Sequence, residues 1–76
     1  MMVYDHTGTA VGMTRNQEKF VKVLLSEARA FVTTEADLDR MWLANEGCIQ
    51  TLSPELSQTL QEQWDKLRSD LQSSSH

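Results

Sequence analysis

From residue 14 onward, apolar residues recur at steps of three and four, which is the period of helices with one buried face. Phe20, Val21, Leu24, Leu25, Ala28, Phe31 and Val32 form the first such stripe. Leu38, Met41, Trp42, Asn45, Cys48, Ile49 and Leu52 form the second, with an amide at its centre. Leu56, Leu60, Trp64, Leu67 and Leu71 form a third and narrower one, closer to a coiled-coil seam than to a broad core face. The pattern predicts an all-α domain with amphipathic helices over about 15–32, 35–51 and 54–72.

Local signals mark the boundaries. Thr14 and Gln17 have the spacing of a capping box, in which each side chain bonds the other's backbone N–H. Thr33 or Thr34 can cap the second helix, and Glu35, Asp37 and Asp39 then place negative charge near its positive end. Ser53-Pro54-Glu55 is the clearest start: a capping serine, a proline at the first helical position, and an acidic first turn. Gly47 lies off the second stripe and marks a bend or an early end.

Residues 1–13, "MMVYDHTGTAVGM", break the helical period. Val3, Tyr4 and Val11 favour strands, and Asp5-His6-Thr7-Gly8 has turn composition. A lone hairpin is barely stable in water, so the segment is expected to be a flexible arm or a strand that pairs with another chain, and the arm is favoured. The domain proper is then 14–72, followed by a solvated tail at 73–76.

Asn45 calls for partners, because an unpaired amide in a core costs about 1–3 kcal/mol. It either bonds a backbone carbonyl near a helix end or faces its own counterpart across a two-fold axis, as single asparagines do in coiled coils. The second option joins the narrow third stripe to a dimer hypothesis. Leu60, Trp64, Leu67 and Leu71 would form the seam, and dimerisation would complete a core that is small for 76 residues.

Composition removes several function classes. Cys48 is the only cysteine, so no intrachain disulfide is possible, and its place on the stripe suggests a small buried hydrophobe. His6 and His76 sit at opposite ends, and no Cys, His and carboxylate set has metal-ligand spacing. No histidine stands on a predicted helix to activate a serine or threonine, and no glycine loop can cradle a phosphate. The expectation is a non-enzymatic protein without cofactor or metal. No apolar run reaches a membrane span and no signal-peptide pattern opens the chain, so a cytoplasmic location is expected.

The net charge of −4 is uneven: residues 1–32 carry +1 and residues 33–76 carry −5. Arg15, Lys19, Lys22 and Arg29 share one helix face, within roughly 80° of each other. That face, with Leu43 on the outer side of the second helix, is the candidate surface for a protein partner. Nucleic acid is the alternative ligand of the basic face. The acidic remainder and the lack of aromatic residues among these charges count against it.

The stretch "ADLDRMWLANEGCIQTLSPELSQTLQEQWDKLRSDL", residues 36–71, resembles a helical segment near the C-terminus of some phage single-strand annealing recombinases. Leu38, Trp42, Asn45, Ile49 and Leu52 carry the resemblance, with the capped helix that follows them. In that family the segment lies outside the annealing core. The resemblance therefore implies partner contact rather than chemistry, and a phage or mobile-element origin.

Overall fold

A computed structural model describes residues 1–73. The element order is β1 (Met2–Tyr4), β2 (Ala10–Met13), α1 (Gln17–Phe31), α2 (Glu35–Ile49) and α3 (Pro54–Ser73). The chain is thus mostly helical, with a short antiparallel hairpin at its N-terminus. Of the expected 73–76 tail, Ser73 closes α3 and residues 74–76 lie outside the described part.

The N-terminal segment is a hairpin folded onto its own chain, which corrects the preference for a flexible arm. Met2 pairs with Met13 and Val3 with Gly12; an irregularity follows before Tyr4 pairs with Ala10. The turn is built on one carboxylate. Asp5 Oδ1 accepts from the Thr7 and Thr9 N–H groups at 2.8 and 3.0 Å and from the Thr7 hydroxyl at 2.6 Å. Gly8 completes it at φ +83°, a left-handed conformation that residues with a Cβ adopt at a cost.

Val3 is fully buried and ties β1 into the helical core, where it joins Phe20, Leu24, Leu38, Met41 and Leu60. β1 touches both α1 and α2, and α3 likewise touches both. The two longer-range partners therefore close the core from two sides. At Gly12 the hairpin runs beside α1, where a Cβ would make an ordinary van der Waals contact with Val23 Cγ1 at 3.9 Å.

The helix starts follow the sequence signals with one exception. Thr34 caps α2 by accepting from the Asp37 N–H at 3.1 Å, and Ser53 Oγ accepts from the Leu56 N–H at 3.4 Å at the start of α3. At α1 the cap is Asn16, whose Oδ1 accepts from the Glu18 and Lys19 N–H groups at 2.7 and 3.3 Å. The Thr14–Gln17 box does not form. Gln17 turns instead to the α2–α3 connection, donating to the Thr51 carbonyl and accepting from the Ser53 N–H at 3.0 Å. α2 ends at Ile49, two residues earlier than expected, with Gln50 as its C-cap.

The third stripe has an intrachain partner. Leu60 and Trp64 are buried in the chain's own core, and Leu67 and Leu71 pack half-buried against it. Of the four side chains of the expected dimer seam, Leu60 and Trp64 are taken up by the chain's own core, whereas Leu67 and Leu71 keep part of their surface exposed. Phe31, expected in the first stripe, is 61% exposed. It has the right angle but is the last residue of α1.

Candidate functional site

Asn45 is 1% exposed and occupies the junction of α2 with the hairpin. Its Oδ1 accepts from the Tyr4 N–H at 2.9 Å, while its Nδ2 donates to the Tyr4 carbonyl at 2.7 Å and to the Met41 carbonyl at 2.8 Å. The amide therefore bonds both outward main-chain groups of Tyr4 in β1 and a carbonyl of its own helix. Main-chain carbonyls are its acceptors, as the first of the two options has it, one turn before the end of α2, and both belong to the same chain. Cys48, one turn on, brings its half-buried Sγ to 3.8 Å from the Met2 carbonyl on the same edge. These two residues are structural parts of the hairpin junction.

A cleft lies between α2 and α3. Asp39, Trp42 and Leu43 form one wall, and Gln61, Trp64, Asp65 and Arg68 the other, around a cleft of about 440 Å³. Each set recurs at steps of three and four, so each wall is one face of its helix, about one turn of α2 and two of α3. Trp42 and Trp64 meet edge to face at its floor, with ring centroids 5.4 Å apart and planes inclined by 61°. This arrangement sets the positive edge of one ring against the negative face of the other. Trp64 is almost fully buried and Trp42 half-buried, whereas Leu43 stands 67% exposed at the lip.

Arg68 fixes the cleft's polar end. Its guanidinium donates to Asp39 and, at 3.4 Å, to Glu35 Oε1, so one α3 side chain clasps two turns of α2. The hydrogen bond from Arg68 to Asp39 raises the Arg68 pKa above its ordinary value, against the opposing effect of partial desolvation. Gln72 adds a bond to Glu35 at 3.0 Å. Asp65, one turn before Arg68 on the same wall, is exposed and meets no cation among the described residues. Trp64 Nε1 is buried with no acceptor among the described residues, a donor whose desolvation goes unrelieved.

The expected partner surface is divided by the fold. Leu43 belongs to the α2–α3 cleft, but Arg15, Lys19, Lys22 and Arg29 do not line it. Arg15 precedes α1, and Lys19 and Lys22 are exposed on it. Arg29 reaches across to Gln63 Oε1 at 3.2 Å and borders a smaller cleft of about 250 Å³ that includes Leu67, Asp70 and Leu71. Sequence reasoning placed Trp42 in the core stripe and Trp64 in the seam. It missed that the two meet beside Leu43. The signal was the adjacency of Trp42 and Leu43, an apolar pair spanning two faces of one helix.

Among the described residues no three of His, Cys, Asp and Glu gather as a metal set, and no helix is long and apolar enough to cross a membrane. Comparison with known protein families, with curated proteins and with solved structures finds no match to this chain.

Proposed function

We propose that this chain is a small non-enzymatic protein-binding module, an adaptor or inhibitor that receives an apolar side chain of a larger cytoplasmic protein in the α2–α3 cleft. The observation that carries the proposal is Leu43, a large apolar side chain 67% exposed beside two contacting indoles. A single exposed leucine means little, but an apolar patch that continues into a concave aromatic floor is the usual form of an interaction site. Tryptophan supplies a disproportionate share of binding energy where a partner excludes water around it. The Arg68 clasp supports this reading, because a cleft held by a cross-helix network loses less entropy when it is filled.

Nucleic-acid binding through α1 is the weaker alternative. Phe31, though exposed, lies roughly 160° around the helix from Arg29, so the cations have no stacking platform among them. The resemblance of residues 36–71 to a recombinase segment outside the annealing core favours partner contact as well.

Affinity capture from cells that make the protein distinguishes the surfaces. Leu43→Asp should lose a complex that the wild type captures while keeping its helicity, and Lys19→Glu with Lys22→Glu should retain it. Loss with the charge reversals and retention with Leu43→Asp would overturn the proposal.

A further inference from the structure

We infer that the occupant of the α2–α3 cleft is a basic amphipathic helix of another protein. It sets an apolar anchor on Trp42, Leu43 and Trp64 and a lysine or arginine beside Asp65. The inference rests on the protein-binding reading and adds the chemistry of the partner.

Shape is the first argument. The cleft lies between two helices and is lined at helical spacing on both walls, by Asp39, Trp42 and Leu43 of α2 and by Gln61, Trp64, Asp65 and Arg68 of α3. A third helix, with anchors on one face, is the element that fills such a groove continuously. An isolated apolar ligand would cover the floor and leave Leu43 in water.

Charge then selects among helices. Residues 33–76, which include both walls, carry −5. Arg68 lines the cleft, but its charge is engaged by Asp39 and Glu35. Asp65 has no such partner among the described residues, so the unbalanced charge at the cleft is negative. A cationic partner is steered in, and an acidic one is opposed both at long range and at the lip. The half-buried ring of Trp42 adds a π-face on which a guanidinium or ammonium can rest.

The test uses the intact protein and two short amidated peptides, one built from leucine and lysine to form an amphipathic helix, the other with glutamate in place of lysine. Binding is followed through the two indole N–H signals in nitrogen-15 spectra at physiological ionic strength. The leucine–lysine peptide should bind saturably and move both signals. Asp65→Lys should weaken that binding by about tenfold, and Leu43→Asp should remove it while the rest of the spectrum stays folded.

Equal binding of the glutamate peptide, or shifts spread over surfaces away from the cleft, would overturn the inference and leave the protein-binding reading standing. Failure of both peptides, with native capture still dependent on Leu43, would also reject the helix but not the module. If capture is likewise independent of Leu43, the reading falls with the inference. A wild-type dimer in sedimentation that Leu43→Asp dissociates would assign the cleft to a second copy and overturn the inference as well.

Discussion

Asn45 holds Tyr4 by both of its main-chain groups, accepting from the N–H at 2.9 Å and donating to the carbonyl at 2.7 Å across 41 positions of sequence. A helix side chain thereby stands in for the missing third strand of a two-stranded sheet. The hairpin is held because this amide bonds both outward groups of Tyr4 while Val3 is buried in the core. Asn45→Leu has a similar volume but satisfies neither group. It should lower stability by about 1–3 kcal/mol in a urea titration. It should also speed hydrogen exchange at the Thr14 N–H, which bonds the Met1 carbonyl at 2.8 Å across the open end of the hairpin.

The same substitution should have opposite effects at two glycines. Gly8 has φ +83° and no heavy atom within 4 Å of a Cβ built on it, so Gly8→Ala costs only the backbone conformation, about 1 kcal/mol. Gly47 lies in α2 with equally open space and ordinary helical geometry. Gly47→Ala should stabilise by about 0.5–1 kcal/mol. Thermal melts of the two variants on either side of the wild type check the pair.

Acid should loosen the turn before it affects the helices. The Thr7 hydroxyl and then the Thr9 N–H, with further help from the Thr7 N–H and His6, hold the Asp5 carboxyl below its ordinary value of 3.8. A lowered folded-state pKa contributes stability that is fully present above the unfolded value and is lost as pH falls through the folded one. The Thr7 and Thr9 amide shifts should therefore stay constant down to about pH 4 and move together below it. Asp5→Asn should abolish that titration.

The indole pair should separate by environment. Trp64 is 4% exposed and Trp42 half-buried, so Trp42→Phe should emit at shorter wavelength than Trp64→Phe, the remaining tryptophan being the buried one. Trp64→Ala should cost about 3–5 kcal/mol, and Trp42→Ala about 1–2 kcal/mol, because less area leaves water at position 42. Denaturant titrations give both values.

What could be read from the chain beforehand follows the range of the forces involved. The three helices were legible because periodicity and caps act within a turn or two, as Thr34 and Ser53 illustrate. The α1 start was misplaced because Gln17, a good capping-box residue locally, finds better partners at Thr51 and Ser53, more than thirty positions away. The hairpin's turn was visible in Asp5 and Gly8, but its stability depends on Asn45 and on burial of Val3. Neither can be inferred from thirteen residues in isolation. At the cleft, Leu43 stood out as an apolar residue off the stripe. Its union with Trp42 and Trp64 depends on how α2 and α3 cross, and periodicity assigns a face without saying where two faces part. The leucines of α3 illustrate the converse: a narrow stripe suggests a partner helix without saying whether that helix belongs to the same chain.

On the proposed function, the Leu43 side of the α2–α3 cleft meets a partner and the basic face of α1 does not. Site-specific photo-crosslinking in cells that make the protein tests it most directly, with a photoreactive aromatic residue placed in turn at position 43 and at position 22. The account predicts a single adduct of defined mass from position 43, suppressed by Trp42→Ala, and none from position 22. An adduct from position 22 with none from position 43 would contradict it.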